Sequence, residues 1–443
     1  MKAIFPKFES SDKELNVTYN YRCELFGRHV KETPVGYVIS EFLPDVRWAG
    51  IYNTISCAAM HHFREGRWMQ DASVLEDYAK FWCTVGNPRL YSFPIADSIL
   101  ELSKVTGNDE TAKELYPRLC EIHDEWDDHK TDSGLYRQKC DRDGMEYSIS
   151  GDGLRPTINS YMYAEKIALA KISERVGNQE AKERYKTDAE SLRALINGKL
   201  WNAELGIFGV VSDSGEIQNV KELVGYIPWI FGAAGSGKDA CFRYLLDPDC
   251  FLAPYGLRTA DASHPDYMKP FKHECLWNGP IWPFATAQTL SAVISYLRSE
   301  SNPVLSSNDF TELLLTYARS QRDTDGTPWL DENMHPDTGI WLAREILREW
   351  GRSDKDRGCH YNHSTFIDLV MTGIVGICPC ESNKLVIRPL GTSLDSFTLR
   401  ELKYHGHTVD IEWFKAKGLT VTLDGHREFF VDAKGEIKVE IDL

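Results

Sequence analysis

The apolar positions of this chain follow one rule over most of its length and another at its end. From about residue 50 to 377 they recur at spacings of three and four, in the stretches 71–84, 94–106, 109–127, 159–176, 179–200, 281–298 and 308–321. That period keeps one stripe of a helix apolar, so each stretch predicts an amphipathic helix. Two junctions resemble each other: VTGNDETAKEL around Gly107 and RVGNQEAKERY around Gly177 set a glycine where a helix stops, followed by an asparagine as N-cap of the next. Gly107 and Gly177 lie 70 residues apart, about two helical hairpins, which suits a toroid of stacked helix pairs. Beyond Pro379 the alternation has period two, in KLVIRPL, FTLRELKYHG, HTVDIEWF, LTVTLDG, REFFVDA and EIKVEIDL. Residues 381–443 therefore predict a small antiparallel β domain, and residues 1–40, which follow neither rule, an extended lead-in to a helical unit over 41–380.

Composition narrows the function classes. The net charge of −16, with no Lys/Arg-rich run, lacks the electrostatic footprint that phosphate backbones and anionic membranes require, so neither nucleic acid nor membrane is an expected partner. A neutral or cationic small substrate fits better. The eleven cysteines are odd in number and scattered without a CxxC pair, which reads as reduced thiols rather than a zinc site or a disulfide framework. The start MKAIFPKFESS has no apolar core segment with a small-residue cleavage site, and no stretch approaches the ~18 apolar residues of a membrane span. The expectation is cytoplasm, or periplasm or the cell exterior if a leader precedes this stretch.

Chemistry is concentrated in the long loops at 131–158, 251–280 and 323–362, dense in Trp, Gly, Pro, Asp and Asn. In CDRDGMEYSISGDGLRPTINSYMYAE (140–165), Glu146 lies between Met145 and Tyr147, in an apolar setting that would raise its pKa, and Asp143 and Asp152 compete with it for a role. A solvated loop of Asx turns has the same composition. In HECLWNGPIWPFATAQTL (273–290), Trp277, Asn278 and Trp282 surround a Gly-Pro helix start, as a sugar-binding wall or as buried core aromatics. In TPWLDENMHPDTGIW (327–341), Glu332 stands between Asp331 and Asn333, bracketed by Trp329 and Trp341. The nearby His360-Tyr361-Asn362-His363 lacks the spacing of a metal site, and no metal or cofactor is expected.

Together the three segments resemble the inverting (α/α)6 glycosidases: the processing α-glucosidases, their bacterial relatives, trehalases and mannosylglycerate hydrolases. Asp143-Gly144-Met145-Glu146-Tyr147-Ser148 is similar to the family's Ser-Gly-Trp-Asp-Asn-Ser loop, with Glu146 at the general acid and Asn159 at the Asn of the following helix. Trp277-Asn278-Gly279-Pro280-Ile281-Trp282 resembles Trp-Arg-Gly-Pro-Ile-Trp, and Glu332-Asn333-Met334-His335-Pro336-Asp337-Thr338-Gly339 resembles Glu-Asn-Tyr-Asn-Pro-x-Thr-Gly, whose Glu is the general base.

The resemblance spans roughly 40–380. It implies a mostly α protein, an (α/α)6 toroid (six-hairpin glycosidase barrel) followed by the small C-terminal antiparallel β domain, that hydrolyses an α-glucoside or related oligosaccharide with inversion. Arg47, Trp48, Arg155, Asn159, Trp229, His273, Trp277, Asn278, Trp282, Tyr361 and His363 would form the sugar cradle. The chain departs from the family at Glu146 (Asp there), at Asn278 (Arg there) and by an insertion of about twenty residues before Tyr361-Asn362-His363-Ser364. Other sugars, rhamnosides or arabinofuranosides, and a catalytically silent carbohydrate-binding protein therefore stay open, with an (α/α)6 lyase or phosphorylase disfavoured by the lack of clustered arginines.

Overall fold

The computed structural model describes residues 4–435 and 437–443. Its helices are α1 (Lys13–His29), α2 (Ala59–Gly66), α3 (Ser73–Thr84), α4 (Ile95–Thr106), α5 (Glu110–Glu125), α6 (Pro156–Arg175), α7 (Gln179–Lys199), α8 (Ile227–Ile230), α9 (Pro283–Ser299), α10 (Ser307–Ser320), α11 (Leu342–Glu349) and α12 (Ile367–Leu369), the last running on as a π turn through Val370–Ile374.

Two kinds of helix follow from two kinds of sequence. In α6 and α9 nearly every residue is buried, polar ones such as Asn159, Ser160 and Gln288 included. In α7 only a stripe of Tyr185, Ala189, Leu192 and Ile196 is buried. A helix apolar on all sides must be enclosed by neighbours, whereas a one-stripe helix covers them from outside. Each large side chain of the α7 stripe contributes about 1.5–3 kcal/mol by leaving water. The contacts match: α2 packs on α4, α4 on α6, α6 on α8, α8 on α9, α9 on α12, and α12 returns to α2, while α5, α7 and α10 lie against α4 and α6, α6, and α9 in turn. Inside this circuit the charges are paired, Arg64 with Asp97 (3.0 Å) and Arg67 with Asp368 (2.7 Å), and both arginines reach Glu101.

The first strand closes on the strands that follow the helices. The strand Lys7–Ser10 forms one edge of a five-stranded antiparallel sheet with Ser396–Tyr404, His407–Phe414, Gly418–Leu423 and Arg427–Asp432, in that order. Its buried face carries the period-two residues Phe397, Leu399, Val409, Ile411, Trp413, Leu419 and Val421. Arg22 of α1 is buried against Glu65 of α2 (3.2 Å) and donates to the Ser364 carbonyl (2.6 Å) and Gln321 (3.3 Å). Glu65 also accepts the backbone N–H groups of Phe366 (2.8 Å) and Asp368 (3.2 Å) at the start of α12.

Four local expectations are corrected. Residues 1–40 are not an extended lead-in: α1 occupies 13–29, capped by Asp12 on the Leu15 N–H, and a hairpin follows at 30–39. Helix α6 begins at Pro156 rather than near Asn159, because proline at the first helical position needs no N–H partner. The same rule starts α9 at Pro283, since the backbone of Ile281 is engaged with Met334 (2.9 Å in both directions). Asn178 caps α7 as expected, whereas Asn108 stands one residue before the N-cap of α5 and accepts from Glu110 N–H (3.0 Å).

Removing one partner of a buried ion pair strands the other charge, so Arg22→Ala is expected to lower the unfolding free energy by roughly 3–5 kcal/mol, read from urea denaturation followed by far-UV circular dichroism. A change under about 1 kcal/mol, the worth of an exposed pair, would contradict this account.

Candidate active site

The loops that enter α2, α4, α6, α9 and α12 converge on one cavity of about 350 Å³. Its wall takes Glu41, Phe42, Trp48, Ile55 and Cys57 from the loop before α2, Tyr91 from the one before α4, and Gly144 and Glu146 from the one before α6. The approach to α9 gives His273, Glu274, Cys275, Trp277 and Trp282, and the segment before α12 gives Arg357, Tyr361 and His363; Glu332 comes from the third long loop. Residues far apart in sequence meet because each precedes the N-terminus of a helix in the inner circuit.

Glu146 is fixed by its backbone. Its carbonyl accepts the Trp277 N–H (3.0 Å), and the loop behind it is gripped by Arg155, fully buried, which pairs with Asp143 (2.6 Å), donates to Ser148 (3.3 Å) and holds the Gly151 carbonyl. Gly144 has φ +71°, and a Cβ there would overlap the Cys57 sulfur, so this turn requires glycine. Tyr147 has φ +58°, a strained value for a bulky residue. Burial pushes the Glu146 carboxyl up to about 7, its own backbone N–H opposes the rise, and the Glu332 charge adds to it.

Glu332 has different surroundings. Its carboxylate is clamped by Arg357 (Nε 2.8 Å, a second guanidinium nitrogen 3.3 Å) and receives the Cys275 thiol (3.3 Å). Arg357 also pairs with Glu274 (2.5 Å) and lies over the Trp48 ring at 5.2 Å. Asp331 accepts the Glu332 N–H (2.9 Å), and burial followed by the Glu332 charge pushes its own carboxyl up to about 7. A third carboxylate, Glu41, is buried with one oxygen accepting the Tyr361 hydroxyl (2.5 Å), while the other has no hydrogen-bond partner among the described residues. Burial raises it to about 8, the Tyr361 hydrogen bond opposes this, and the charges of Glu332 and Glu146 add. Burial also takes His363 down to about 3, so this ring is neutral near pH 7.

Of the residues expected at the site, Glu146, Glu332, Trp48, His273, Trp277, Trp282, Tyr361 and His363 line this cavity. Arg47, Arg155, Asn159, Trp229 and Asn278 do not. Arg47 is exposed; Arg155 braces the Glu146 loop; Asn159 spans both backbone groups of Tyr136 (2.8 Å each). Trp229 packs against Phe208 (5.2 Å) and Phe242 (5.1 Å), and Asn278 donates to the carbonyls of Asp266 (3.2 Å) and Lys269 (2.9 Å). The competitors Asp143 and Asp152 are outside the lining too, Asp152 accepting the Cys140 N–H (2.9 Å). Sequence reasoning missed Glu41, Glu274, Cys275 and Arg357. For Glu274 and Cys275 the signal was adjacency to His273, and for Arg357 its place in the insertion before Tyr361. Glu41, in ISEFLP, offered none. Among the described residues no group of three or more His, Cys, Asp or Glu could hold a metal ion, and no helix is long and apolar enough to cross a membrane.

Because Glu41 folds with its pKa raised, its neutral form stabilises the fold fully below about pH 4.5, and that contribution is lost as pH rises toward about 8. Unfolding free energy measured in urea is expected to fall between pH 5 and 8, and to fall less steeply in Glu41→Gln, by about 1–4 kcal/mol over the interval. Identical slopes in the two proteins would contradict the buried-acid description.

Residues 51–364 match the family model described as "Mannosylglycerate hydrolase MGH1-like glycoside hydrolase domain". Among solved structures, a protein described as "Sialidase" is 33% identical with a TM-score of 0.92; the match covers 99% of this chain, which spans 41% of that one. The GH63 mannosylglycerate hydrolase from Thermus thermophilus, solved in complex with glucose, is 14% identical with a TM-score of 0.52 over 76% of this chain and 100% of its own. The GH78 family rhamnosidase of Bacillus sp. GL1 is 15% identical with a TM-score of 0.61 over 95% of this chain and 42% of its own. At these identities the last two share the fold alone. A search among curated proteins finds no match.

Proposed function

The chain belongs to the mannosylglycerate hydrolase MGH1-like glycoside hydrolase family, and from that premise we propose that it hydrolyses its glycosidic bond with inversion, Glu146 acting as general acid and Glu332 as general base. The helical circuit is on this reading an (α/α)6 toroid over 41–380, followed by a C-terminal β domain over 381–443. The observation that carries the assignment is the contrast between two carboxyls in one cavity, Glu146 pushed up to about 7 by burial and Glu332 clamped by Arg357. A buried acid beside a carboxylate held by a guanidinium is an arrangement in which one site can run acid and base chemistry together.

Glu146, protonated, gives its proton to the glycosidic oxygen as the bond from the anomeric carbon to that oxygen breaks, the electron pair leaving with the oxygen. A water on the opposite face of the ring forms the new bond to carbon while Glu332 takes its proton. One water is consumed, and the configuration inverts. Such enzymes hold the two carboxyls roughly 6.5–9.5 Å apart, leaving room for that water.

The lining supports a neutral sugar. It holds four glutamates, Glu41, Glu146, Glu274 and Glu332, against two guanidiniums, and both are engaged, Arg357 by Glu332 and Glu274 and Arg352 by Asp354 (3.0 and 2.9 Å). An acidic sugar such as a sialoside would meet no free arginine among the described lining residues, and the protein described as "Sialidase" is more than twice as long as this chain. An α-glucoside or related oligosaccharide is the first candidate. Rhamnosides and arabinofuranosides form the second, favoured by Asn278, which turns away to the 266–269 loop where the resembling glucosidases carry an Arg.

Sugar release across α- and β-linked gluco-, manno-, rhamno- and arabino-oligosaccharides tests the proposal. Glu146→Gln and Glu332→Gln are each expected to lower kcat by about 10²–10⁴-fold, with proton NMR showing the inverted anomer first. The kcat/KM of the wild type should fall as pH rises through about 7, where Glu146 loses its proton. Retention of configuration, or a Glu332→Gln enzyme as active as wild type, would overturn the mechanism; ligand binding without release would leave a silent binding protein.

A further inference from the structure

Next to the cavity, on the side of Glu146, stands a set of rings that nothing in the fold uses. Tyr147 is 42% exposed and Phe271 is 40% exposed, although both are large and apolar. Their rings are 4.9 Å apart, tilted by 35°, and Tyr147 also lies 5.1 Å from His273. His273 lines the cavity, whereas Tyr147 and Phe271 do not, so the three rings run outward from the wall to the solvent. The His273 ring is tied down by the Cys275 N–H (3.0 Å).

Two further facts make this more than a pair of stray aromatics. The Tyr147 backbone sits at φ +58°, a conformation that costs a bulky residue of order 1–3 kcal/mol and persists only where its surroundings enforce it. The enforcement is visible on both sides, in the Arg155 grip on 143–151 and in the bond from Trp277 N–H to Glu146 carbonyl. Strain is thus held at the residue that turns a phenol ring outward, immediately after the proposed acid.

We propose that Tyr147 and Phe271 form the subsite for the leaving group, a stacking platform for the apolar face of a second sugar ring or an aromatic aglycone. This rests on Glu146 as the general acid: the acid touches the glycosidic oxygen, so the departing group lies on the side of Glu146 and meets the residue beside it. Pyranose rings present C–H faces that pack on aromatic surfaces, and a tilted pair offers a broad one at small entropic cost. The substrate class that follows is a glycoside with a ring on the leaving side, rather than one of a small alkyl alcohol.

The test compares leaving groups at constant glycone, using an α-linked glucosyl disaccharide and α-glucosyl fluoride, or the matching pair for whichever sugar the panel identifies. In Tyr147→Ala/Phe271→Ala the ratio of kcat/KM for disaccharide to that for fluoride is expected to fall roughly ten- to thirtyfold, since fluoride has no ring to stack. Tyr147→Phe, which keeps the ring, should hold the ratio within about twofold. A ratio that stays at the wild-type value, whether both rates fall or neither does, overturns the subsite. Glu146→Gln assayed on the same disaccharide separates the two ideas: if it remains active, the acid assignment fails, whereas an inactive Glu146→Gln beside an unchanged ratio sinks the platform alone.

Discussion

The buried ion pair of Arg22 with Glu65 is the contact on which the rest of the helical layer depends. One guanidinium and one carboxylate, both nearly inaccessible to water, hold α1, the α2 of the inner circuit, the Gln321 turn and the start of α12 at a single point. Two charges out of water are costly, and the cost is offset by further hydrogen bonds: Arg22 also donates to Gln321 and Ser364, and Glu65 accepts the N–H groups of Phe366 and Asp368. The consequence reaches the cavity, since the segment that Arg22 fixes at Ser364 is the one that has just supplied Tyr361 and His363.

The site shows the same economy of buried charge used differently. Glu332 is surrounded by donors, Glu41 by almost none, and Glu146 by its own N–H and apolar walls. Three identical side chains thus meet three different surroundings within one cavity. Position in the sequence does not determine which is which; desolvation and the single shared cation, Arg357, do.

The helices were legible because their stripes are local properties: the period of three and four located α3, α4, α5, α6, α7, α9 and α10 to within a few residues at either end. The strands after Pro379 were legible for the same reason. Helix α1 was not, since Leu15, Tyr19, Arg22, Leu25, Phe26 and His29 are interrupted by a buried charge that conceals the stripe. At the site, aromatic-rich loops pointed to Glu146, Glu332, Trp277, Trp282 and His363. The same residue types also brace loops, which is why Arg155, Asn159, Trp229 and Asn278 were expected to face a ligand and instead face backbone or core. Glu41 and Arg357 could not be found this way, because the partners Tyr361 and Glu274 lie 320 and 83 residues away from them in sequence.

The strand Lys7–Ser10, paired with Ser396–Tyr404, sets a clock on biogenesis. Its partner follows about 390 residues later in the chain, and at about 5–20 residues per second an emerging strand waits some 20–80 s with its edge unpaired. During that interval Phe5 and Phe8, which end up almost fully buried, have no native cover from the sheet. The helical circuit can assemble behind the ribosome, but the seam between Lys7–Ser10 and Ser396–Tyr404 can close only once the strands beyond Pro379 have emerged, and a holding chaperone has its natural footing there.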